Sequence, residues 1–261
     1  MIVSFAASRR LLGTAAVVSL ALVPAPVAAQ SASEHIVLGD RAHAALNASA
    51  ALRHYEEAMK ADPRSYEALW KATREAVDVG EFTEREAERT RLYSEAELYA
   101  RRAAEANPGD AEGHFHLSRA LGRKALSLGK RDRVKYAGDI RNHALEALKL
   151  DPKHAGALHV MGMWNYNVMQ LSGMTRFVAK QFLGGKVFDS ANWDDAQRFM
   201  EESVRYEPNR LVHHLDLARV YGARGARDKA RASYQAVING KATEYNDRRF
   251  HAQAAEEMRK L

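Results

Sequence analysis

Four arginines, Arg74, Arg119, Arg123 and Arg219, and five larger neighbours, Trp70, Phe115, His159, Met163 and Tyr166, are the residues of this chain with recognition chemistry to offer. A guanidinium meets a carboxylate in a two-pronged fork, and an aromatic face beside it anchors a side chain. Brought onto one face, the set would suit an extended acidic peptide or an acidic C-terminus. The competing reading pairs each arginine with an acid of a neighbouring helix and assigns Trp70 and Phe115 to packing. A register error of one residue would turn the whole set by about 100°.

Other chemistries lack their spacing. There is no His-Glu-x-x-His and no Gly-x-Ser-x-Gly, and Gly184-Gly185-Lys186-Val187 has neither the glycine spacing nor the Ser or Thr of a phosphate loop. No enzyme activity is expected. His114 with His116, and His213-His214, tempt as metal ligands, but an i, i+2 pair on a helix faces two ways and no second histidine stands at i+3 or i+4 of any of the four. No metal or cofactor is therefore expected. The absence of cysteine excludes a disulfide, a thiolate site and a lipid-modified cysteine.

The nine residues can share a face only if helices stack in a fixed register, and the prolines indicate that they do. Asp62-Pro63, Asn107-Pro108, Asp151-Pro152 and Glu207-Pro208 each follow an Ala-rich or Leu-rich helical run, and proline cannot continue a helix. The prolines are 45, 44 and 56 residues apart, longer than the roughly 34 of a minimal helix-turn-helix repeat, so each middle repeat carries an insertion. Small residues recur where paired helices must approach: Ala51, Ala58, Ala96, Ala103, Ala147 and Ala196, with Leu38-Gly39, Met161-Gly162 and Leu217-Ala218 on first helices. The pattern is that of a tetratricopeptide-like α-solenoid, all-α, with five units at about 32–65, 66–110, 111–154, 155–210 and 211–244 and a polar capping helix near 245–260. In that register the ninth position of the first helix is Arg74, Arg119 and Arg219, and the fifth is Trp70, Phe115, His159 and Leu215. The fourth unit adds Met163 and Tyr166.

Residues 1–29 read as a secretory signal peptide: Arg9-Arg10, an apolar stretch over 11–23, then Val27-Ala28-Ala29 as a cleavage site before Gln30. Residues 30–261 then form one solenoid domain. The paired arginine partly resembles a twin-arginine signal, and a mitochondrial presequence is the alternative compartment to the periplasm of a Gram-negative bacterium. Without Arg9 and Arg10 the net charge of +6 becomes +4, dispersed over alternating Glu, Arg and Lys. That pattern reads as solvated helix faces rather than as a nucleic-acid stripe.

Three blocks carry a family likeness. They are His143-Ala144-Leu145-Glu146-Ala147-Leu148-Lys149-Leu150-Asp151-Pro152, then Leu158-His159-Val160-Met161-Gly162-Met163-Trp164-Asn165-Tyr166, then Arg176-Phe177-Val178-Ala179-Lys180. They resemble the regulator of microtubule dynamics family, whose helical repeats carry a long insertion after a Leu-x-Gly-x-Trp-x-Tyr-like helix. The likeness extends more loosely over about 66–240. It implies a non-enzymatic repeat protein, associated in eukaryotic members with microtubules or organelle contacts.

The insertion, 170–190, spaces Met174, Phe177, Val178, Gln181 and Phe182 as a helix would. It reads as an extra helix completing the core, or else as an amphipathic segment turning Arg176, Lys180 and Lys186 toward a membrane over 174–186. Three functional classes follow. The first is an exported adaptor with a protein or peptide in its groove. The second is a protein tied to the cytoskeleton or a membrane, which requires a mitochondrial leader or a lipid-binding insertion. The third is a lipid or small-molecule carrier whose pocket takes in Met161, Met163, Trp164 and Met169.

Overall fold

The computed structural model describes Met1 and residues 31–173 and 185–261. The expected leader, and Met174, Arg176, Phe177, Val178, Lys180, Gln181 and Phe182 of the insertion, lie outside the described residues. Among the described residues eleven α-helices follow one another: α1 (Ala32–Ala44), α2 (Ala48–Ala61), α3 (Tyr66–Glu81), α4 (Glu86–Ala106), α5 (Ala111–Ser127), α6 (Lys130–Leu150), α7 (Ala155–Met169), α8 (Trp193–Tyr206), α9 (Leu211–Ala223), α10 (Arg227–Asn239) and α11 (Asp247–Arg259). A short 3-10 turn, Gly185–Ser190, precedes α8. Neighbours in sequence pack as antiparallel pairs, α1 with α2 through α9 with α10, and first helices also touch along the stack. The five pairs begin at residues 32, 66, 111, 155 and 211, where the proline spacing predicts them.

The joints between units share one construction. Asp62, Asn107, Asp151 and Glu207 end α2, α4, α6 and α8 in non-helical conformations, as a residue before proline must. Three residues on, the N–H of Ser65, Asp110, His154 and Arg210 donates to the carbonyl of that pre-proline residue, at 3.1, 3.3, 3.1 and 3.1 Å. The next helix starts at once. Ser65, Asp110 and His154 also accept from the first turn of that helix, at 3.4, 2.9 and 3.1 Å, satisfying donors that would otherwise be stranded. His114 and His214, six residues beyond their prolines, bond the proline carbonyls at 3.2 and 2.8 Å, which turns them away from any common centre.

Alanine lets the paired helices close. Ala51, Ala58, Ala96, Ala103, Ala147 and Ala196 are all fully buried. Where even a methyl is too large the chain uses glycine: a Cβ at Gly162 would stand 2.5 Å from the Met200 side chain. The extra length of the second and third units goes into their second helices, α4 and α6, of 21 residues each. In the fourth it goes into the connection between α7 and α8, which Asn165 ties down by accepting from the Asn192 N–H at 3.1 Å.

Two apolar clusters fill the stack, one over α1 to α6 with Trp164, Val168 and Phe188, the other over α8 to α11. Phe82, at the end of α3, belongs to the second cluster. The final helix packs on α10 and α9, as a cap should, and through Phe82 it also reaches the second unit. Among the described residues no helix is long and apolar enough to cross a membrane.

The Gly162–Met200 contact has a measurable cost. Gly162→Ala should lower stability by about 1–3 kcal/mol through overpacking, despite alanine's better helix propensity. Urea denaturation of the two proteins checks it, a variant as stable as the parent being the contrary outcome.

Candidate functional site

The first helices α3, α5, α7 and α9 carry all nine residues singled out by the register. The structure brings five of them together. Arg119, Arg123, His159, Met163 and Arg219 line a half-open chamber of about 500 Å³ between α5, α6, α7, α9 and the 3-10 turn. Its apolar lining includes Leu126, Val134, Ile140, Val160, Trp164 and Phe188, while Ser118, Arg133, Asn167, Gln170, Ser172 and Asp216 join the three arginines and His159 as its polar lining. The apolar wall excludes water from a chain or side chain placed there, and the polar groups could fix a charged end.

The other four sit elsewhere. Trp70 stacks on His116 with ring centroids 5.3 Å apart and carries the Lys71 and Arg74 cations over its ring. Arg74 donates from Nε to Glu75 at 2.7 Å, and Glu75, fully buried, also meets His43 at 3.0 Å. Phe115 wedges against Gly156 and the rings of His116 and His154, and it lines a smaller cavity beside the chamber. Tyr166 meets Trp193 edge-on at 6.0 Å.

The arginines are not a row of vacant forks. Arg119 pairs with Asp78, Arg123 with Glu81 at 2.7 Å, and Arg219 with Asp216 at 2.6 Å and with both Glu257 oxygens at 2.6 and 2.9 Å. Each acid comes from the first helix of the preceding unit, from one turn back, or from α11. A charge this far out of water must be paired. A guanidinium has five N–H donors, however, so these pairs aim the group and still leave donors at the cavity.

Burial works against charge on Asp78 and Asp216, yet the ion pairs prevail. Asp78 is held below the ordinary carboxylate range because Arg119, with Arg210 and Arg74 behind it, outweighs desolvation. Desolvation also opposes ionisation of Asp216, and the 2.8 Å hydrogen bond from His159 with the charges of Arg219 and Arg123 overcomes it. The histidines go the other way. Burial pushes His116 down to about 4 in spite of Glu112, and His213, stacked on His159 at 4.8 Å, is also depressed by burial. His154 is raised instead, Glu112 outweighing its burial. Among the described residues no group of three or more His, Asp or Glu converges in a way that could hold a metal ion.

Val134 and Ile140 of α6 and Phe188 of the 3-10 turn escape the first-helix register, since they belong to a second helix and a connection. The readable signal was the extra length of those segments. Trp164, which the carrier reading places in a pocket with Met163, does line the chamber, and its Nε1 donates to the Ala137 carbonyl at 2.9 Å.

Antiparallel helix pairs stacked through proline joints, with a lined inner face, define a tetratricopeptide-like repeat protein. A thermophilic TPR protein of Thermus thermophilus superposes on 86% of this chain and 99% of its own length with a TM-score of 0.62 at 20% identity, which supports the fold. Residues 38–261 match the family Regulator of microtubule dynamics protein 1-3, and the chain belongs to that family. Regulator of microtubule dynamics protein 1 of Bos taurus is 28% identical over 144 residues, 55% of this chain and 45% of the relative. The Homo sapiens protein is 28% identical over 141 residues, 54% and 44% of the respective lengths. The match thus spans less than half the length of these relatives.

The ion pairs and histidines each yield an expected outcome. Asp78→Ala strands Arg119 and should cost about 3–5 kcal/mol, whereas Glu57→Ala, which breaks an exposed pair with Lys60, should leave the urea midpoint nearly unchanged. Urea denaturation separates the two, and equal small effects would refute the reading. Because His116 titrates near 4 when folded and near 6.5 when free, the unfolded chain binds more protons in between, and stability should fall as pH drops through that window. His213 adds to the fall and His154 opposes it. His116→Gln should flatten the slope of the urea midpoint between about pH 6.5 and 4.

Proposed function

We propose that this protein is a non-enzymatic, exported repeat scaffold that binds a protein or peptide partner at its concave face. In this reading an apolar side chain of the partner enters the chamber and a neighbouring carboxylate meets Arg123, Arg219 and His159 at its polar lining. One observation carries it: a cavity of about 500 Å³ pairs an apolar wall with arginines already aimed by internal acids. Stacked repeats of this kind present extended concave surfaces suited to such a partner. Trp70, Arg74, Phe115 and Arg119 support the face in this reading, through packing and ion pairs, while Met163 contributes to the chamber.

The chamber's volume favours a second reading, a carrier of a small apolar molecule, since it falls within the range of ordinary ligand pockets. Association with microtubules, which the relatives' name mentions for them, or with organelle membranes, is the third. Export itself rests on Arg9-Arg10, the apolar stretch and Val27-Ala28-Ala29. N-terminal sequencing of the protein from its native cell should begin at Gln30, and an uncleaved chain would remove the export part of the proposal.

Gly122 supplies the decisive variant. It lines the chamber, and a Cβ there would meet nothing within 4 Å. Gly122→Phe should therefore fill the cavity with Tm unchanged or slightly raised, a helix interior favouring almost any residue over glycine. Affinity capture by wild type should recover a partner that Gly122→Phe loses by at least tenfold. Equal recovery by both would exclude the chamber as the binding site. A small-molecule mass retained in native mass spectrometry by wild type alone would establish the carrier reading instead.

A further inference from the structure

Part of the concave face is already occupied, by the chain itself. Between α10 and α11 the backbone turns inward, and Glu244, Tyr245, Asn246, Asp247 and Phe250 line the smaller cavity opposite Asp78, Phe115, Arg119, His159 and Arg210. The contacts are specific. The Glu244 carboxylate pairs with Arg210. Asn246, 3% exposed, donates from Nδ2 to the Asp78 carbonyl at 2.9 Å, linking positions 168 residues apart. The Phe250 ring lies 5.8 Å from that of Phe82, with the Arg249 guanidinium 4.9 Å over Phe82. Asp247 holds the turn together by accepting from the N–H groups of Thr243 and Glu244, both at 2.8 Å.

A cap alone has no need of this reach. Covering the open end takes only the apolar side of α11 on α10 and α9, with Ala254 and Phe250 buried. The segment ahead of it instead offers the inner face an acid for an arginine, an aromatic side chain and an amide for a backbone carbonyl. Those are the groups an extended acidic partner would offer. The fit is incomplete, because Asn246 Oδ1 is buried with no hydrogen-bond partner among the described residues. A contact that leaves a buried acceptor unsatisfied is one that a better-matched segment can replace.

We propose that residues 243–250 are an intrachain ligand of the concave face, an autoinhibitory contact that an acidic, aromatic-containing partner segment displaces to reach Asp78, Arg119 and Arg210. The inference rests on the concave-face reading above and names the chemistry and regulation of that surface. Tethering gives the internal segment a local concentration in the millimolar range, so a partner in solution meets mostly closed molecules. Its apparent affinity is then reduced by the open fraction.

The test uses the full chain and a fluorescent peptide of its own residues 242–252. Wild type should bind the peptide weakly, and Asn246→Ala/Phe250→Ala at least tenfold more tightly. Amide exchange over 78–82 should quicken in the double variant and slow again when peptide is added. Faster exchange without a gain in peptide binding would overturn the proposal, leaving the contact as a structural clasp, and so would unchanged exchange with unchanged binding. Should the double variant fail to fold, Glu244→Gln, which keeps the shape and weakens only the Arg210 pair, should still raise peptide affinity a few-fold; no rise would reject the proposal. A peptide result that is negative while Gly122→Phe abolishes partner capture refutes self-occupancy alone. Failure of both refutes the concave-face reading itself.

Discussion

Proline cannot donate a backbone hydrogen bond and cannot follow a helical residue without strain, and four prolines impose that constraint on this chain at the same point of successive units. Each second helix stops at the preceding residue, three residues turn the chain, and at three of the four joints the next helix departs with a first-turn N–H capped by a side chain. Because the joints share the pre-proline stop and the turn that follows it, successive first helices come to lie beside one another along the stack. The inner face, its ion pairs and its chamber all follow from that repetition. Alanine at the contact points makes the stack close enough for acids of one first helix to reach arginines of the next.

The ion pairs of the inner face constrain as much as they stabilise. Arg119 with Asp78, Arg123 with Glu81, and Arg219 with Asp216 and Glu257 exchange hydration for one another, and such exchanges come near to breaking even against apolar packing. Their larger effect is geometric. Each guanidinium is held in a single orientation, which a solvated arginine would not keep, so entropy that a binding partner would otherwise have to remove is already gone. The depressed carboxyls of Asp78 and Asp216 and the depressed His116, buried against Trp70 and Phe115, report the same design from the side of proton affinity.

What could be read from sequence and what could not divide along the range of the forces involved. The five units were legible because proline, alanine and glycine act within a few residues. Helical periodicity placed all nine residues on first helices, and five of them meet at one cavity while four lie elsewhere. Periodicity does not say what lies opposite. Asp78 and Glu81 were hidden as candidate partners because they look like any acids late in a helix, and Trp70 and Tyr166 look the same whether they anchor a ligand or a neighbouring ring. Val134, Ile140 and Phe188 entered the chamber through segments outside the minimal repeat, and Asn246 finds Asp78 across 168 residues, beyond the reach of any local pattern.

An open stack of repeats behaves as a one-dimensional lattice, in which each unit feels only its neighbours and the ends melt first. The hydrogen bond from Asn246 to Asp78 and the contact of Phe250 with Phe82 change that topology, because they join the second unit to the final helix. From α3 onward the lattice becomes a loop, and loops have no ends from which to fray. Only α1 and α2 lie outside it, yet they share the first apolar cluster and are tied to α3 by the Asp40–Lys71 and His43–Glu75 pairs, so the first unit is expected to melt with the closed body behind it rather than on its own.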